Sequence, residues 1–362
     1  KVTQLIVYVL AQDISYRLPI GKVVGKRWKI LKQLGSGGFG AVFKVEDIHT
    51  NEMAALKAEY NVHRSHVLKL EVHILRRLAH CPLFVNVLQS GKKEHYSYVV
   101  MTLLGSSLDI LIGKVGRICT VSTQVRIGIN ALYGIKVLHD MGFVHRDIKP
   151  ANMAVGPTSS DSSRLIHIFD FGLARQYVIF SEGERPKLRR PRPVVRFRGT
   201  LRYCSANTQE RGEQGRVDDL WSLLYVLVEL RGNLPWSRCT NERDILHLKR
   251  SISPETLLEN CPVQLLEVNS HLITLNYYIR PDYSLLHTVL ENVRKAGNIR
   301  FSDPYDWEFD QFLKIHHENP EINADKWKTS EETHTTQPSS KTQEDDVNPF
   351  PDDLFSANPL GF

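Results

Sequence analysis

Residues 145–152 read His-Arg-Asp-Ile-Lys-Pro-Ala-Asn, and Asp-Phe-Gly follows at residues 170–172. Together the two motifs supply three oxygen-bearing side chains, those of Asp147, Asn152 and Asp170. One carboxylate can accept the proton of a substrate hydroxyl, while an amide oxygen and a second carboxylate can hold hard Mg²⁺ ions. Because chance assembly of these residues in this order is negligible, the two motifs predict a site for metal-assisted transfer to a hydroxyl group.

A glycine cluster lies upstream, in residues 35–42, which read Gly-Ser-Gly-Gly-Phe-Gly-Ala-Val. Apolar and polar residues alternate around it from Trp28 to Val45, which predicts a strand, a glycine turn and a second strand. The same glycine spacing occurs in dinucleotide-binding turns, and Glu59 stands where such a turn places its acidic residue. Those turns open a helix, however, and the residues after this cluster are β-branched and aromatic. The pattern favours a β-hairpin over bound phosphates, with an ordinary glycine turn as the alternative.

A lysine and a glutamate downstream of the cluster form a candidate pair. Lys57 closes a predicted strand that ends in Met-Ala-Ala-Leu-Lys, and Glu71 lies in a segment with helical periodicity. A cation that contacts nucleotide phosphates needs an acid to hold it in place. Taken alone, Lys57 would be interpreted as a solvated lysine at a strand end, so its assignment depends on the other motifs.

The pattern of elements changes at Gly105. Strand patterns and one helical pattern, at residues 66–78, fill residues 22–105 and include an apolar run at residues 96–104. Beyond that point helical periodicity prevails, at residues 122–139, 220–230, 256–275 and 283–293. The sequence therefore predicts an α+β protein with a small, mainly β part at residues 22–105 and a larger, mainly α part at residues 106–309.

Charge is distributed unevenly along the 362 residues. The 46 lysines and arginines outnumber the 40 aspartates and glutamates, for a net charge of +6. Residues 310–362 hold eleven acidic and four basic residues, a charge of −7, so residues 1–309 carry +13. A basic body predicts an anionic partner. The polar, acidic composition of residues 310–362 predicts a tail without fixed structure.

The cysteines and the apolar runs limit the cellular setting. Five scattered cysteines without a Cys-x-x-Cys pair predict neither a disulfide framework nor a zinc site, so we expect a reducing compartment, the cytoplasm or the nucleus. Residues 1–21 are expected to be an N-terminal extension. Its apolar run at residues 5–11 is too short to span a bilayer, and a signal-peptide remnant is the alternative interpretation.

These motifs resemble those of eukaryotic protein kinases over residues 22–309, and the finer sequence resembles the casein kinase 1 group, most closely its tau-tubulin kinase branch. The supporting sequences are Lys-Leu-Glu-Val at 69–72, Leu-Ala-Arg-Gln at 173–176, Phe-Arg-Gly-Thr-Leu-Arg-Tyr at 197–203, Asp-Asp-Leu-Trp-Ser at 218–222, Leu-Pro-Trp at 234–236, Pro-Asp-Tyr at 281–283 and Asp-Pro-Tyr-Asp-Trp-Glu at 303–308. As in that group, no Ala-Pro-Glu closes the activation segment, and Ser-Ala-Asn at 205–207 stands where the group has Ser-Ile-Asn. The resemblance implies a bilobal protein kinase fold and a serine/threonine protein kinase.

The resemblance also implies ATP and Mg²⁺ as cofactors and assigns roles to residues. Asp147 would be the catalytic base, Lys149 a cation beside the transferred phosphoryl group, and Asn152 and Asp170 the metal ligands. Lys149, two residues after Asp147, is a feature of serine/threonine kinases. The residues implied for ATP binding are Gly35, Ser36, Gly37, Gly38, Phe39, Gly40, Val42, Ala55, Lys57, Glu71, Met101, Thr102 and Leu104.

An arginine-rich stretch lies within the implied activation segment. Residues 185–202 contain eight basic residues and no acidic one. Guanidinium groups pair with carboxylates and phosphates, so acidic or phosphate-primed protein substrates are expected. The resemblance places a substrate anion site at Gly199 and Arg202, with His247 or Lys249 nearby. A solvated loop or a nucleic-acid patch is the alternative, although the arginines lack the interleaved aromatics typical of nucleic-acid binding, and no specific nucleic acid is expected.

Regulation and assembly are less constrained by the sequence. Between Phe171 and Gly199 the hydroxyl-bearing residues are Tyr177 and Ser181, so we expect activity that does not depend on phosphorylation of this segment. We also expect a monomer. In the tail, Asn-Pro-Phe at 348–350 and Asp-Asp-Leu-Phe at 352–355 resemble short adaptor-binding motifs, while a pseudosubstrate and a passive linker are alternatives. A pseudokinase scaffold is the rival function, but the implied catalytic residues are all present.

Overall fold

The computed structural model describes residues 18–37, 40–60, 67–158, 160, 162–308 and 348–362. Within them the smaller lobe, the N-lobe, is built on one antiparallel sheet with the strand order β1-β2-β3-β4-β6-β5. Its strands are β1 (Val23–Val24), β2 (Trp28–Gly37), β3 (Gly40–Asp47), β4 (Met53–Tyr60), β5 (Val87–Lys92) and β6 (Tyr96–Thr102). Side chains alternate between buried and half-buried along β3, as a sheet with one covered face requires.

One helix of the N-lobe, α1 (Val67–Leu78), packs against this sheet. Its apolar residues recur at helical spacing, and Ile74, Leu75 and Leu78 are fully buried. The same core cluster continues through Val99 of β6 into the larger lobe. The two lobes are therefore joined by a continuous apolar core beside α1.

The larger lobe, the C-lobe, is mainly helical. Its helices are α2 (Leu108–Lys114), α3 (Val121–Asp140), α4 (Ala206–Gln209), α5 (Arg216–Glu229), α6 (Glu242–Ser251), α7 (Pro254–Leu257), α8 (Leu265–Thr274) and α9 (Tyr283–Ala296). Short antiparallel strand pairs cross its upper face: β7 (Phe143–Val144) with β10 (Arg175–Gln176), β8 (Met153–Val155) with β9 (Ile166–Ile168), and β11 (Val178–Ile179) with β12 (Lys187–Leu188). Helix α3 packs against both α5 and α9 and forms the centre of the lobe.

The predicted α+β, bilobal architecture is confirmed, with two differences at element boundaries. Helix α5 begins at Arg216, four residues before the apolar run that predicted it, because the Asp218 carboxylate accepts the Gly215 N–H at 2.6 Å and caps the helix. The helix expected over residues 256–275 is two helices, α7 and α8. Pro262 lies between them and cannot donate the backbone hydrogen bond that a continuous helix would need.

The expectation of a tail without fixed structure is wrong for its last part. Residues 348–362 are ordered on the C-lobe and include a helical turn, α10 (Asp353–Ser356). Phe350 and Phe355 are buried there, so a few apolar anchors outweigh the polar average composition. Among the described residues, no helix has the length and apolar character to cross a membrane.

Candidate active site

Strands β2 and β3 form the hairpin that carries the glycine cluster. The strands pair across the cluster as Gly35–Val42, Ser36–Ala41 and Gly37–Gly40. A Cβ atom on Gly40 would lie 1.8 Å from the carbonyl oxygen of Ala58 in β4, so this close approach requires glycine. The two predicted strands are confirmed, while Gly38 and Phe39, at the predicted turn, lie outside the described residues.

The Lys57 side chain connects the sheet, helix α1 and the Asp-Phe-Gly motif. Its Nζ atom lies 2.7 Å from Oε2 of Glu71 and 2.8 Å from Oδ1 of Asp170. Glu71 is 2% exposed within the core beside α1, whereas the Asp170 side chain keeps 46% of its surface exposed. The predicted pairing of Lys57 with Glu71 is present, and Asp170 joins it from the other lobe.

The three charges set one another's ionisation. Burial opposes the charge on Lys57, but the carboxylates of Glu71 and Asp170 outweigh it and raise the pKa of the ammonium group. Burial raises the pKa of the Glu71 carboxyl despite the neighbouring lysine. Partial desolvation acts in the same direction on Asp170, but contact with Lys57 outweighs it and lowers the pKa of that carboxyl. Lys57 therefore remains a cation at the edge of the interlobe cleft.

The backbone of the loop that carries Asp147 is hydrogen-bonded to a side chain of helix α5. Asp219 accepts the backbone N–H of His145 at 2.7 Å through Oδ2 and that of Arg146 at 2.8 Å through Oδ1. Its Oδ2 atom also lies 2.9 Å from Nε2 of His139 in α3. Arg146 has a left-handed backbone with φ of 71°, which these bonds stabilise. Asp219, at the start of the apolar helix, thus holds the backbone of the catalytic loop.

The carboxylate of Asp147 lies at the centre of a small polar cluster. Its Oδ2 atom is 2.7 Å from Nζ of Lys149, and its Oδ1 atom accepts the hydroxyl of Thr200 at 2.7 Å. Lys149 donates to the same hydroxyl at 3.0 Å. Asn152 donates its Nδ2 to Asp147, which leaves the Oδ1 end of the amide as the part that can bind a cation.

Asp170 follows strand β9 and has a left-handed backbone with φ of 66°. The next residue, Phe171, is fully buried, and its ring centroid lies 6.0 Å from that of Phe84 and 5.2 Å from that of His145. The aromatic packing anchors the turn, so Asp170 is directed to the cleft beside Lys57 and not into the core.

Comparison with known proteins agrees with this geometry. The protein kinase domain profile matches residues 28–281. The chain belongs to the protein kinase family. It is 46% identical over 95% of its length to a putative serine/threonine-protein kinase of Caenorhabditis elegans, covering 97% of that protein. It is also 36% identical to an inactive tau-tubulin kinase of the same organism, over 66% of this chain and 86% of that protein.

Casein kinase I homolog 3 of Schizosaccharomyces pombe is a further relative, 32% identical over 79% of this chain and 66% of that protein. These relatives confirm the resemblance to the casein kinase 1 and tau-tubulin kinase group and identify the chain as a serine/threonine protein kinase. The inactivity in one relative's name does not follow from the motifs of this chain, because Lys57, Asp147 and Asp170 are present and in contact distance of their partners.

The kinase's interlobe connection begins where β6 ends. Met101 is 8% exposed and is paired in register with Ala55 of β4. The N–H of Thr102 donates to the carbonyl of Asn86 at 3.1 Å, so this donor is already paired. Within the described residues the N–H of Leu104 makes no backbone hydrogen bond. The connection thus offers a backbone donor at Leu104.

The kinase's activation segment is fixed by a glutamate that the sequence analysis missed. Glu213 accepts Nε of Arg192 at 2.6 Å and Nη2 at 3.0 Å, and its Oε1 lies 3.3 Å from Nε of Arg175. Burial opposes ionisation of Glu213, but these arginines prevail and lower the pKa of its carboxyl. Burial, together with the positive charge of the nearby Arg175, lowers the pKa of Arg146 to about 10. Glu213 meets these arginines only in the folded chain, and no local sequence pattern predicts the contact.

At the anion site predicted at Gly199 and Arg202, the arginine already binds a carboxylate of the protein itself, that of Glu229. Nε of Arg202 donates to Glu229 at 2.6 Å and Nη2 donates to Ser237 at 3.1 Å, so this guanidinium is already paired. Gly199 has φ of 113°, and a Cβ atom there would lie 2.5 Å from the carbonyl oxygen of Arg146.

Lys249, expected near the anion site, supports the backbone instead. Its Nζ donates to the carbonyls of Leu201 at 2.8 Å and Cys204 at 2.7 Å. Burial lowers the pKa of its ammonium group. His247 is exposed on helix α6. Lys249 therefore shapes the segment after Gly199 and is not a free cation for a substrate.

Proposed function

We propose that this kinase transfers the γ-phosphate of ATP to serine and threonine hydroxyls of acidic or phosphate-primed protein substrates, with Asp147 as the catalytic base. One observation carries the catalytic part of the proposal. The hydroxyl of Thr200 lies between Asp147 and Lys149, at 2.7 and 3.0 Å. An alcohol group is thus already held in the arrangement that a substrate alcohol needs, with a proton acceptor on one side and a cation on the other.

The residues fit ATP and Mg²⁺. Magnesium in kinases takes one or two protein oxygens and fills its other positions with phosphate and water. Asn152 and Asp170 offer such a pair, and the described residues hold no larger cluster of His, Cys, Asp or Glu that would suit another metal. The glycine hairpin of β2 and β3 suits the phosphates, and the N–H of Leu104, which has no backbone partner among the described residues, suits the adenine.

The chain's own residues divide the work by charge. Bound Mg²⁺ supplies electrostatic stabilisation of the charge on the transferring phosphoryl group. Lys57, kept cationic by its two carboxylates, binds phosphate oxygens from the N-lobe side. Asp147 orients the substrate hydroxyl and accepts its proton as the oxygen attacks, and Lys149 neutralises the phosphoryl oxygens beside it.

The substrate preference rests on exposed arginines of the activation segment. Arg185, Arg190, Arg196 and Arg198 are exposed, and none of them forms an ion pair among the described residues. Arg192 and Arg202, by contrast, are paired with Glu213 and Glu229. We therefore assign acid recognition chiefly to the unpaired arginines, with Arg202 contributing only where a phosphate displaces Glu229. Monomeric state and a cytoplasmic or nuclear location stay predictions.

The test measures turnover of three peptides that differ at one position: phosphoserine, glutamate or a neutral residue. The purified full chain is expected to prefer the phosphoserine and glutamate peptides over the neutral one. The double variant Arg196→Glu/Arg198→Glu should lose the preference and keep the neutral turnover. Lys29→Glu, an exposed charge reversal in β2 of the N-lobe, is the matched control. Equal turnover of the three peptides by the parent protein overturns the proposed preference and leaves kinase activity intact.

A further inference from the structure

The ordered segment at residues 348–362 is anchored by two aromatic side chains. Phe350 is 2% exposed and Phe355 is fully buried. Their ring centroids lie 5.5 and 5.6 Å from that of Tyr133 in helix α3. The aromatic residues of the adaptor-like motifs are therefore internal anchors in this arrangement and are not presented to another protein.

Helix α9 completes the groove that receives the segment. The His287 ring stacks on Phe355 with a centroid distance of 3.9 Å and an interplanar angle of 9°. Nδ1 of His287 also lies 3.1 Å from Oδ1 of Asp352. Arg280, before α9, donates to the carbonyl of Ala357 at 2.8 Å. Ring stacking, the polar contact of His287 with Asp352 and a hydrogen bond to a backbone carbonyl thus fix the segment at three separate residues.

The far end of the segment reaches the activation segment. Leu360 and Phe362 pack against a separate buried cluster formed by Val144, Tyr177 and Val178. The guanidinium of Arg216, at the start of α5, lies 5.7 Å from the ring centroid of Phe362 and 5.1 Å from that of Tyr177. Arg216 therefore joins the two aromatic rings through cation–π contacts.

This cluster is continuous with the catalytic loop. Tyr177 precedes the β11–β12 hairpin, and its hydroxyl donates to the carbonyl of His139 at 2.7 Å. Strand β10, just before Tyr177, pairs with β7. In this pair Arg175 of β10 lies opposite Val144 of β7. Val144 directly precedes the His-Arg-Asp motif. The segment at residues 348–362 consequently covers the junction between the activation segment and the catalytic loop.

We propose that residues 348–362 are an intramolecular ligand of the C-lobe that holds the β11–β12 hairpin, and through it the catalytic loop, in the ordered arrangement. The aromatic pair Phe350 and Phe355 anchors the ligand, and Phe362 is the contact that acts on the hairpin. The contacts of this segment with α3, α9 and the hairpin differ from those of a pseudosubstrate, which would lie on the substrate side of Asp147. Docking therefore supports activity instead of blocking it.

The regulatory part of the proposal rests on the proposed kinase function, so the decisive measurement does not use activity. Amide hydrogen exchange is followed in residues 177–189 and, as an internal reference for folding, in residues 220–229 of helix α5, which exclude Arg216 and its contact with Phe362. The full-length double variant Phe350→Ala/Phe355→Ala is compared with Pro351→Ala/Ser356→Ala, which alters two exposed residues of the same segment. We expect exchange in residues 177–189 to rise about tenfold or more in the first variant, with no change in α5 or in the control.

A synthetic peptide of residues 348–362, added in excess to the first variant, should restore the protection of residues 177–189, and the same peptide with both phenylalanines replaced by alanine should not. Turnover of an acidic substrate peptide by the first variant should fall several-fold, and it should recover when the synthetic peptide of residues 348–362 is added. If the double variant also loses protection in α5, the deciding measurement is made on Phe362→Ala. This variant keeps both anchors, so exchange should rise only in residues 177–189. Unchanged exchange in residues 177–189, while residues 348–362 themselves become unprotected, overturns the proposal. Loss of the acidic-substrate preference would leave these exchange results unaffected.

Discussion

Two buried glutamates, one in each lobe, hold cationic side chains in this kinase. Glu71 holds Lys57 in the N-lobe, with Asp170 as the second anion on the same ammonium. Glu213 holds Arg192 and Arg175 in the C-lobe. In the first cluster two carboxylates share one cation, whereas in the second one carboxylate is shared by two arginines, with Arg146 close enough to be affected.

The difference reflects what each cluster must do. Lys57 has to keep a face open to a nucleotide, so its carboxylates restrain it without enclosing it. The arginines around Glu213 are part of the activation segment and the strand before it, and the glutamate neutralises charges that would otherwise repel one another. Because this anion is part of the chain, the segment is held without an added phosphate. That agrees with constitutive activity, which stays a prediction.

The largest effect is expected between the two clusters, at Asp147. Asp147→Asn keeps the shape of the side chain and removes the proton acceptor, so kcat should fall by about 10²–10⁴, or about 3–5 kcal/mol of barrier. The measurement is transfer of radiolabelled γ-phosphate under single-turnover conditions, with a thermal melt to show an unchanged fold. Turnover close to that of the parent protein would exclude Asp147 as the base.

The next largest effect belongs to the Lys57 cluster. Lys57→Met removes the cation and should lower kcat by about 10²–10³, whereas Glu71→Gln keeps the lysine but loosens it and should cost about tenfold. Lys29→Met, an exposed lysine of β2, should behave like the parent protein. Comparing the two variants by steady-state kinetics sharpens the division of roles. Equal losses for both would contradict this division, because they would mean that Lys57 contributes nothing unless Glu71 holds it.

Breaking the second cluster should have a smaller effect. Glu213→Gln leaves Arg175 and Arg192 without a compensating charge and should lower kcat by a factor corresponding to about 0.5–2 kcal/mol. The matched control is Glu210→Gln, since Glu210 pairs with Arg250 on the exposed surface and such pairs contribute little. Loss of activity of the same size in both variants would contradict a positioning role for Glu213. A phosphate or sulfate ion that partly restores Glu213→Gln would support it.

The smallest expected effect is a difference in pH dependence. The pKa of Glu213 is below the usual glutamate value of 4.5, so its contribution to stability is present above that pH and is lost as the pH falls through the lowered pKa. The pKa of Glu71 is raised, so acidification removes no stability from that group. The difference in Tm between the parent protein and Glu213→Gln should be roughly 1–3 °C at pH 7 and should shrink as the pH falls below the usual glutamate value and through the lowered pKa of Glu213. A difference that grows on acidification would contradict this assignment.

The sequence predicted the first cluster and missed the second for a physical reason. Lys57 lies at the end of a recognisable strand, and Glu71 lies on one face of a helix with clear periodicity, so local patterns place both. Glu213 meets Arg192 only after the chain has turned through α4, and nothing in its own neighbourhood marks it. Lys249 shows the same limit, because its position suggested a substrate contact while its carbonyl partners lie 45 and 48 residues away.

The elements follow the same rule. Periodicity located most helices and strands of the core, but the cap at Gly215 and the break at Pro262 moved helix boundaries. Average composition failed for residues 348–362, because it dilutes a few large side chains among many small polar ones. What decides docking is whether those side chains meet a complementary groove, and only the folded C-lobe supplies one.

The burial of Met101 has a practical consequence for finding the natural substrates. Met101 is paired with Ala55 at the back of the proposed adenine site. Replacing it with glycine opens space there without touching Lys57, Asp147 or the arginines proposed to bind the substrate. An ATP analogue with a bulky group on its adenine would then fit the variant and clash with other kinases. A tagged phosphate on that analogue would mark, in a cell extract, the proteins that this one enzyme modifies.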